Sequence, residues 1–494
     1  MTFDELIKLV SAGPARPRVC VDSRLVKEGD IFVAVEGTVY DGHNFIDRAL
    51  AGGAKYIVCR QDKWQKTEDK RQKKCEIILV QDSSEAAGLL AQAGEGNPAS
   101  KLTNLAVTGT NGKTTVVFLV RSCIQKADAK CGLIGTVIYD TCSGQSCDST
   151  LTTPDCLAIA EMTGKMVKNG AKYMVIEASS HALSQNRLAG IGFKAAAFTN
   201  LTGDHLDYHK TKQDYLAAKT RLFETLPAGA TAVLNKQSPE AEQIAKKTNA
   251  KILWYAIDEP ADITANIESM DINETVFILE YAGQLSLVKT PLLGRHNVSN
   301  SLAAAGLCLA AGLDLEKIAA GLSALQTVSG RLEKIDWPSD FSVIIDYAHT
   351  DDALKNVLST LKPLCKGNPA SRSAGKLRVV FGCGGDRDRT KRPRMASVVE
   401  ELADFVIVTS DNPRTEKPED IINEIVAGFK NPSSSRITIE QDRKKAIELA
   451  IRTAEKGDIV LIAGKGHETY QIIGTKKFDF SDKQVASECL KKLR

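Results

Sequence analysis

The chain is punctuated by short apolar runs that stop abruptly at polar, glycine-containing motifs. Leu105-Ala106-Val107 runs into Thr108-Gly109-Thr110-Asn111-Gly112-Lys113, Tyr173-Met174-Val175-Ile176 into Glu177-Ala178-Ser179-Ser180-His181, and Ala195-Ala196-Ala197-Phe198 into Thr199-Asn200. Further on, Val343-Ile344-Ile345 meets Asp346-Tyr347-Ala348-His349, and Val379-Val380-Phe381 meets Gly382-Cys383-Gly384-Gly385-Asp386-Arg387. Val406-Ile407-Val408 precedes Ser410-Asp411-Asn412-Pro413-Arg414, and Ile459-Val460-Leu461-Ile462 precedes Gly464-Lys465-Gly466-His467-Glu468. Continuous apolar runs mark strands buried on both faces, and helical patterns such as 116–124 and 215–223 fall between them. The combination predicts α/β domains built on parallel sheets. Open sheets of this kind bind ligands beyond the carboxyl ends of their strands, where the polar motifs sit. Two such sheets facing one another would make an interdomain active site.

Two breaks divide the chain. Glu95-Gly96-Asn97-Pro98-Ala99-Ser100 reads as a turn-rich linker and Val328-Ser329-Gly330 as a second boundary, giving domains 1–96, 97–328 and 329–494. Three domains also suit 494 residues at ~150 residues each. The basic stretch 66–74 is expected to be a solvated loop.

Composition narrows the class of function. A net charge of +3 gives no electrostatic argument for nucleic acid or a membrane surface. No apolar run is long enough for membrane insertion, and Met1-Thr2-Phe3-Asp4-Glu5 lacks a signal-peptide pattern, so the expectation is a soluble cytoplasmic protein. The twelve cysteines include no CxxC, which argues against structural zinc. They are expected to be buried apolar residues, with Cys142, Cys147 and Cys156 in a Ser/Thr/Asp-rich stretch as the exception. The seven histidines all have polar flanks, and a shared site in turns, away from helical faces, is the reading that accounts for them together.

Thr108-Gly109-Thr110-Asn111-Gly112-Lys113-Thr114-Thr115 joins an expected strand to an expected helix. Its glycines let backbone N–H groups turn toward a phosphate chain, and the helix N-terminus adds partial positive charge. Lys113 would reach the β- and γ-phosphates of ATP and the Thr114 hydroxyl would meet Mg²⁺, although Val107 stands where the general phosphate loop has glycine. Glu177 and His205 could complete a Mg²⁺ shell. Asp207 and His209 are expected to build the loop, and Lys219 alone reads as a surface lysine.

Together Thr108–Thr115, Glu177–His181, Asn200–Asp207, His296-Asn297-Val298-Ser299-Asn300, Gly330-Arg331 and Asp346–His349 resemble the ATP-dependent Mur ligases. Asp22-Ser23-Arg24, Gly29–Ala34, Gly382–Arg387, Asp411–Arg414 and Gly464–Glu468 extend the resemblance over essentially the whole chain, toward the branch that adds the third peptide residue. The resemblance implies a smaller α/β N-terminal domain for the UDP end of the substrate, a central phosphate-loop ATPase and a Rossmann-like C-terminal domain for an amino acid. It implies a ligase acting on UDP-N-acetylmuramoyl-L-alanyl-D-glutamate, ATP and meso-diaminopimelate through an acyl phosphate, and a monomer is expected. By position, Lys113, His205 and Lys219 are the implied catalytic residues, Lys219 being carbamylated and joining Thr114, Glu177 and His205 as metal ligands. Gly109, Thr110, Asn111, Gly112, Lys113, Thr114, Thr115, Asn297, Arg331 and Asp346 are implied for ATP, and Ser23, Thr152, Thr153, Ser179, Gln185 and Arg187 for the UDP-dipeptide. Arg387, Asp411, Asn412, Pro413, Arg414, Gly464 and Glu468 are implied for the amino acid.

Asp411-Asn412-Pro413-Arg414 accompanies diaminopimelate in the family, where lysine-adding members lack the arginine. A guanidinium suits the distal carboxylate through paired, charge-assisted hydrogen bonds, and Glu468 suits the distal ammonium. A lysine-adding ligase, a folylpolyglutamate-synthase-like ligase and a non-catalytic scaffold are the rival readings. The second leaves Asp22-Ser23-Arg24 and the Asp411–Arg414 turn unexplained, and the third leaves the full motif set unexplained. The sequence departs from the family at Asp351, where proline is usual, and at Thr38-Val39-Tyr40, which leaves the uracil contacts there open. Asp351 is expected to open a helix as proline would.

Overall fold

Each apolar run becomes a buried strand in the computed structural model, which describes residues 1–13, 16–38, 40–64, 75–204, 206–338, 340–365 and 375–493. The stretch 66–74 and Val39 lie outside them. The strands form a four-stranded sheet near the N-terminus, an eleven-stranded central sheet and a six-stranded C-terminal sheet, the three-domain α/β arrangement expected.

The N-terminal strands Val19–Cys20, Ile31–Val33, Tyr56–Arg60 and Glu76–Val80 are all parallel. Helices Phe3–Ser11 and Ser83–Gly94 cover one face through Leu6, Val10, Ala87 and Leu90, and Ile46–Ala51 covers the other. In the central sheet Thr103–Thr108 lies between Phe193–Phe198 and Tyr173–Glu177, all parallel, so three polar tips emerge side by side. Beyond Lys251–Ile257, the strands Ile263–Met270, Thr275–Tyr281 and Gln284–Thr290 extend this sheet, the last two pairings being antiparallel. Apolar clusters on both faces, one around Val116, Leu119 and Leu302 and one around Ile159, Ile176 and Phe223, bury its parallel strands.

In the C-terminal sheet, Ser342–Asp346, Ile459–Ala463, Leu377–Phe381 and Phe405–Val408 run parallel in that order. A short hairpin, Tyr470–Ile473 with Lys476–Asp479, stands apart from it. Helix Asp351–Leu364 starts immediately after Thr350, whose side chain accepts from Ala353 N, so Asp351 is the first helical residue and takes a position proline also suits. Its carboxylate pairs with Arg394 at 3.1 Å. The twelve cysteines are free; eight are buried, whereas Cys147 is exposed and Cys142 and Cys156, with Cys75 outside the Ser/Thr/Asp-rich stretch, are partly so. No helix among the described residues is long and apolar enough to cross a membrane.

Candidate active site

The phosphate loop is shaped by its glycines and by the neighbouring strand tip. Gly109 and Gly112 have φ of 145° and 91°, and a Cβ on either would run into Thr199 Oγ1 or Asn300 Oδ1 respectively. Thr110 N donates to Asn200 O at 2.8 Å and Asn111 N to Asn200 Oδ1 at 2.9 Å, which ties the loop to the tip of Phe193–Phe198. Helix Lys113–Lys126 then begins with Gly112 as its cap and no side-chain acceptor, leaving its first N–H groups directed at the loop's concavity.

Two lysines, Lys113 half-buried and Lys219 buried, stand over this loop. Lys113 Nζ donates to Gly109 O and Thr110 O at 2.9 and 2.8 Å, and Lys219 Nζ donates to Gly109 O at 2.7 Å. Lys219 is 1% exposed, which corrects the surface reading. Helix Lys212–Glu224 buries Tyr215, Lys219 and Phe223 at four-residue spacing, so this lysine shares the helix's inner face. Burial lowers the pKa of both amines; the Lys113 charge pushes Lys219 further down, while Asp204 opposes.

Glu177, fully buried at the end of its strand, accepts from Thr114 Oγ1 at 3.1 Å, Thr136 N at 2.7 Å and Thr136 Oγ1 at 2.9 Å. Among the described residues no three His, Cys, Asp or Glu side chains are grouped to hold a metal. The Thr114 hydroxyl beside a single buried carboxylate nonetheless fits Mg²⁺, which draws its remaining ligands from phosphates and water. His205 lies outside the described residues.

The third wall comes from the C-terminal domain. Arg331 Nη2 donates to Thr114 Oγ1 at 3.2 Å and its guanidinium lies over the Tyr347 ring at 4.7 Å. Asp346 accepts from Leu332 N and Ala348 N, both at 2.7 Å; burial raises its pKa, and Arg331 opposes that. Asn111 Nδ2 reaches Asp352 at 3.0 Å. Asn111, Thr115, Asn297, Arg331, Asp346 and His349 line a cavity of about 250 Å³.

On the other side of Glu177, Thr153 Oγ1 donates to Glu177 O at 2.6 Å and receives Ser179 N at 3.0 Å, while Arg187 binds Thr153 O and Gln185 Oε1. Thr152 lies 3.1 Å from Thr136 through their hydroxyls. Ser23, Gln185 and Arg187 meet in a cleft of about 720 Å³ between the first two domains, with Tyr40 and Arg48 on its wall.

Asp411-Asn412-Pro413-Arg414 packs against Gly382–Arg387: Gly385 N donates to Asn412 O at 2.9 Å and Arg414 Nη1 to Gly385 O at 2.7 Å. Gly464, with φ of 114°, brings its backbone against Asp411. Asn412 Nδ2 reaches Glu468 at 2.9 Å. Arg387 stands exposed at the rim, donating to Asp386 O. The phosphate loop connects to this turn through unbroken contacts. Thr114 touches Arg331, Arg331 covers Tyr347, and Tyr347 lies 5.1 Å from His467, the neighbour of Glu468.

The histidines do not share one site. His43 serves the N-terminal domain, 2.6 Å from Asp41 and accepting from Arg60 N. His181 and His209 cluster around Tyr208, whereas His349 and His467 flank Tyr347. His181, His209 and His296 lie in helices, because polar flanks mark helix ends as well as turns. Thr136, Asn200 and Asn300 went unassigned in the sequence. For Thr136 a signal existed, since Cys131–Ile134 is another apolar strand ending at glycine.

Sequence models of the Mur ligase family match residues 18–94 (family catalytic domain), 107–308 (middle domain) and 330–466 (glutamate ligase domain). The chain is 42% identical over 467 residues to the UDP-N-acetylmuramoyl-L-alanyl-D-glutamate–2,6-diaminopimelate ligase of Parabacteroides distasonis, covering 94% of this chain and 93% of that one. It is 43% identical over 479 residues to the enzyme of the same name from Gloeobacter violaceus, covering 96% and 93%. A solved structure bearing that enzyme name superposes with a TM-score of 0.67 at 32% identity, over 100% of this chain and 99% of the other.

Proposed function

The chain belongs to the Mur ligase family, and from that premise we propose how its residues share out its reaction. That reaction is the ATP-dependent addition of meso-2,6-diaminopimelate to the D-glutamate of UDP-N-acetylmuramoyl-L-alanyl-D-glutamate, a step of peptidoglycan precursor synthesis. The observation that carries the assignment is the contact path from Thr114 through Arg331 and Tyr347 to the turn at Asn412 and Arg414.

A carboxylate resists amide formation because its leaving group would be oxide. Transfer of the γ-phosphoryl group of ATP onto a carboxylate oxygen replaces that group with phosphate. The diaminopimelate amine then attacks the acyl carbon, the C–N bond forms, phosphate leaves with the C–O bond, and the amine loses a proton. Two anions must meet in the first step. Lys113 would leave its two loop carbonyls and neutralise the transferring phosphoryl group, with the N–H groups of Gly109–Thr115 around the phosphates. Asn297 and Asp346 would hold the adenine and ribose of ATP in the smaller cavity, with Arg331, beside Thr114, on its phosphates. Ser23, Thr152, Thr153, Ser179, Gln185 and Arg187 would align the UDP-dipeptide from the larger cleft toward Glu177.

Mg²⁺ would be held by Thr114 and Glu177 with His205 and carbamylated Lys219, and when bound it supplies charge neutralisation between the two anions. Carbamylation adds CO₂ to the Lys219 amine with loss of a proton, exchanging a buried cation for a carboxylate. Asp411–Arg414, Arg387, Gly464 and Glu468 would receive diaminopimelate, Arg414 taking its distal carboxylate and Glu468 its distal ammonium. We also propose a cytoplasmic monomer with domains 1–96, 97–328 and 329–494, supported by the separate sheets and by family matches that break near those positions.

Purified protein with ATP and Mg²⁺ is expected to release phosphate only when the UDP-dipeptide and diaminopimelate are both present. Equal turnover with L-lysine would remove the specificity assignment.

A further inference from the structure

Lys465 has no place in the chemistry above, yet it is fully buried. Its ammonium donates to Glu468 Oε2 at 2.8 Å and to Asn412 Oδ1 at 3.2 Å, with the Tyr470 ring 5.5 Å away. Asn412 Oδ1 also accepts Ile472 N at 2.9 Å, so two donors fix the amide's orientation and turn its Nδ2 onto Glu468. Lys465 and Asn412 therefore converge on one oxygen of Glu468, whose side chain is only 14% exposed. The other oxygen is left to a ligand.

Lys465 is the cation in contact with Glu468. Arg443 is already engaged by Asp482 in a buried pair at 2.7 Å, and it shares with Lys465 the charge of buried Asp411. Arg414 acts on Tyr470 but its guanidinium is turned to Gly385 O.

We propose that Lys465 is the positioning residue for recognition of the distal ammonium: it locks Glu468 and Asn412 so that a single carboxylate oxygen faces the incoming amino acid. This rests on the assignment of Glu468 to diaminopimelate above. Without the Lys465 ammonium, Glu468 is held by Asn412 Nδ2 alone, and discrimination for an ammonium at that end falls. Binding of the distal carboxylate through Arg414 remains.

The test compares diaminopimelate with 2-aminopimelate, which keeps the distal carboxylate and has hydrogen in place of the distal amine. The full-length enzyme should favour diaminopimelate in kcat/KM by about tenfold or more, the value of a charged hydrogen bond. Lys465→Met should shrink that ratio to about threefold or less while the KM for ATP moves less than about twofold. Lys465→Arg, which keeps the charge, should retain a ratio nearer that of the wild type. A ratio unchanged in Lys465→Met would overturn the proposal, because a merely structural role lowers both substrates alike. Should that variant fail to fold, Lys465→Gln gives the same reading: an intermediate ratio supports the proposal and an unaltered one sinks it. If the wild-type enzyme does not use diaminopimelate at all, the functional assignment itself falls, a result distinct from an unchanged ratio.

Discussion

The phosphate loop and the Asp411–Arg414 turn are built alike and compensate their buried charges differently. Both follow buried parallel strands, Thr103–Thr108 and Phe405–Val408, and both owe their shape to close backbone approaches at glycine, Gly112 in one and Gly385 in the other. At the phosphate loop two amines rest on backbone carbonyls, and burial lowers the pKa of Lys113 and of Lys219. At the turn a buried carboxylate has buried cations beside it: burial pushes Asp411 upward, but Arg443 and Lys465 outweigh it and hold it below its ordinary range. One strand tip thus keeps cations whose charge is costly until a polyanion arrives. The other keeps fixed negative charge for a ligand bearing an ammonium. The fold supplies a place for a ligand, and the buried charges decide its sign.

The largest effect expected is at the phosphate end. Lys219→Ala should lower turnover by about 10²–10³-fold, as removal of a charge-stabilising group does, with partial rescue by a small carboxylate in the cavity left behind. Steady-state phosphate release with and without added formate or acetate reads this directly. Near-normal turnover of the alanine variant would break the contrast, since the buried amine would then be scaffolding alone.

At the amino-acid end the loss should fall on one substrate. Arg414→Ala removes a charged hydrogen-bond donor of about 1.5–3 kcal/mol, so the KM for diaminopimelate should rise by about ten- to a hundredfold while the KM for ATP stays within about twofold. Parallel rises in both would mean that the turn positions the whole cleft. The asymmetry of the two sites would then have another origin.

Legibility in the sequence followed the same division. Strands buried on both faces announce themselves as unbroken apolar runs, so the parallel core and its polar tips could be read directly. The strands Ile263–Met270 to Gln284–Thr290 escaped because a half-exposed antiparallel extension alternates and ends in ordinary turns. Phosphate-loop residues are contiguous and therefore visible. Thr136 and Asn300 act from separate elements, and only folding brings Thr136 to Glu177 or Asn300 to Gly112. Taken alone, Lys219 reads as a surface lysine despite the four-residue spacing of Tyr215, Lys219 and Phe223, because a lysine on an apolar stripe is usually a solvated one, and only the resemblance points to its place in the site. The histidines erred the other way, since like flanking residues placed them at unlike helix ends.

The smallest effect concerns neighbours that face the two regions differently. Asp351 opens helix Asp351–Leu364 and meets Arg394 at the surface, whereas Asp352 accepts from Asn111 of the phosphate loop. Asp351→Pro forfeits a partly exposed ion pair of about 0–1 kcal/mol and gains from a stiffer unfolded chain by about 0.4–1 kcal/mol. Stability measured by denaturant titration should therefore move by less than about 0.5 kcal/mol, and the KM values for ATP and diaminopimelate should hold. Asp352→Ala, one residue on, should raise the KM for ATP and leave that for diaminopimelate in place, because it removes the C-terminal domain's grip on Asn111. If the proline variant instead lost ATP affinity, the first turn of this helix would belong to the phosphate site as a unit, and the boundary between the two charged regions would lie one turn deeper in the C-terminal domain.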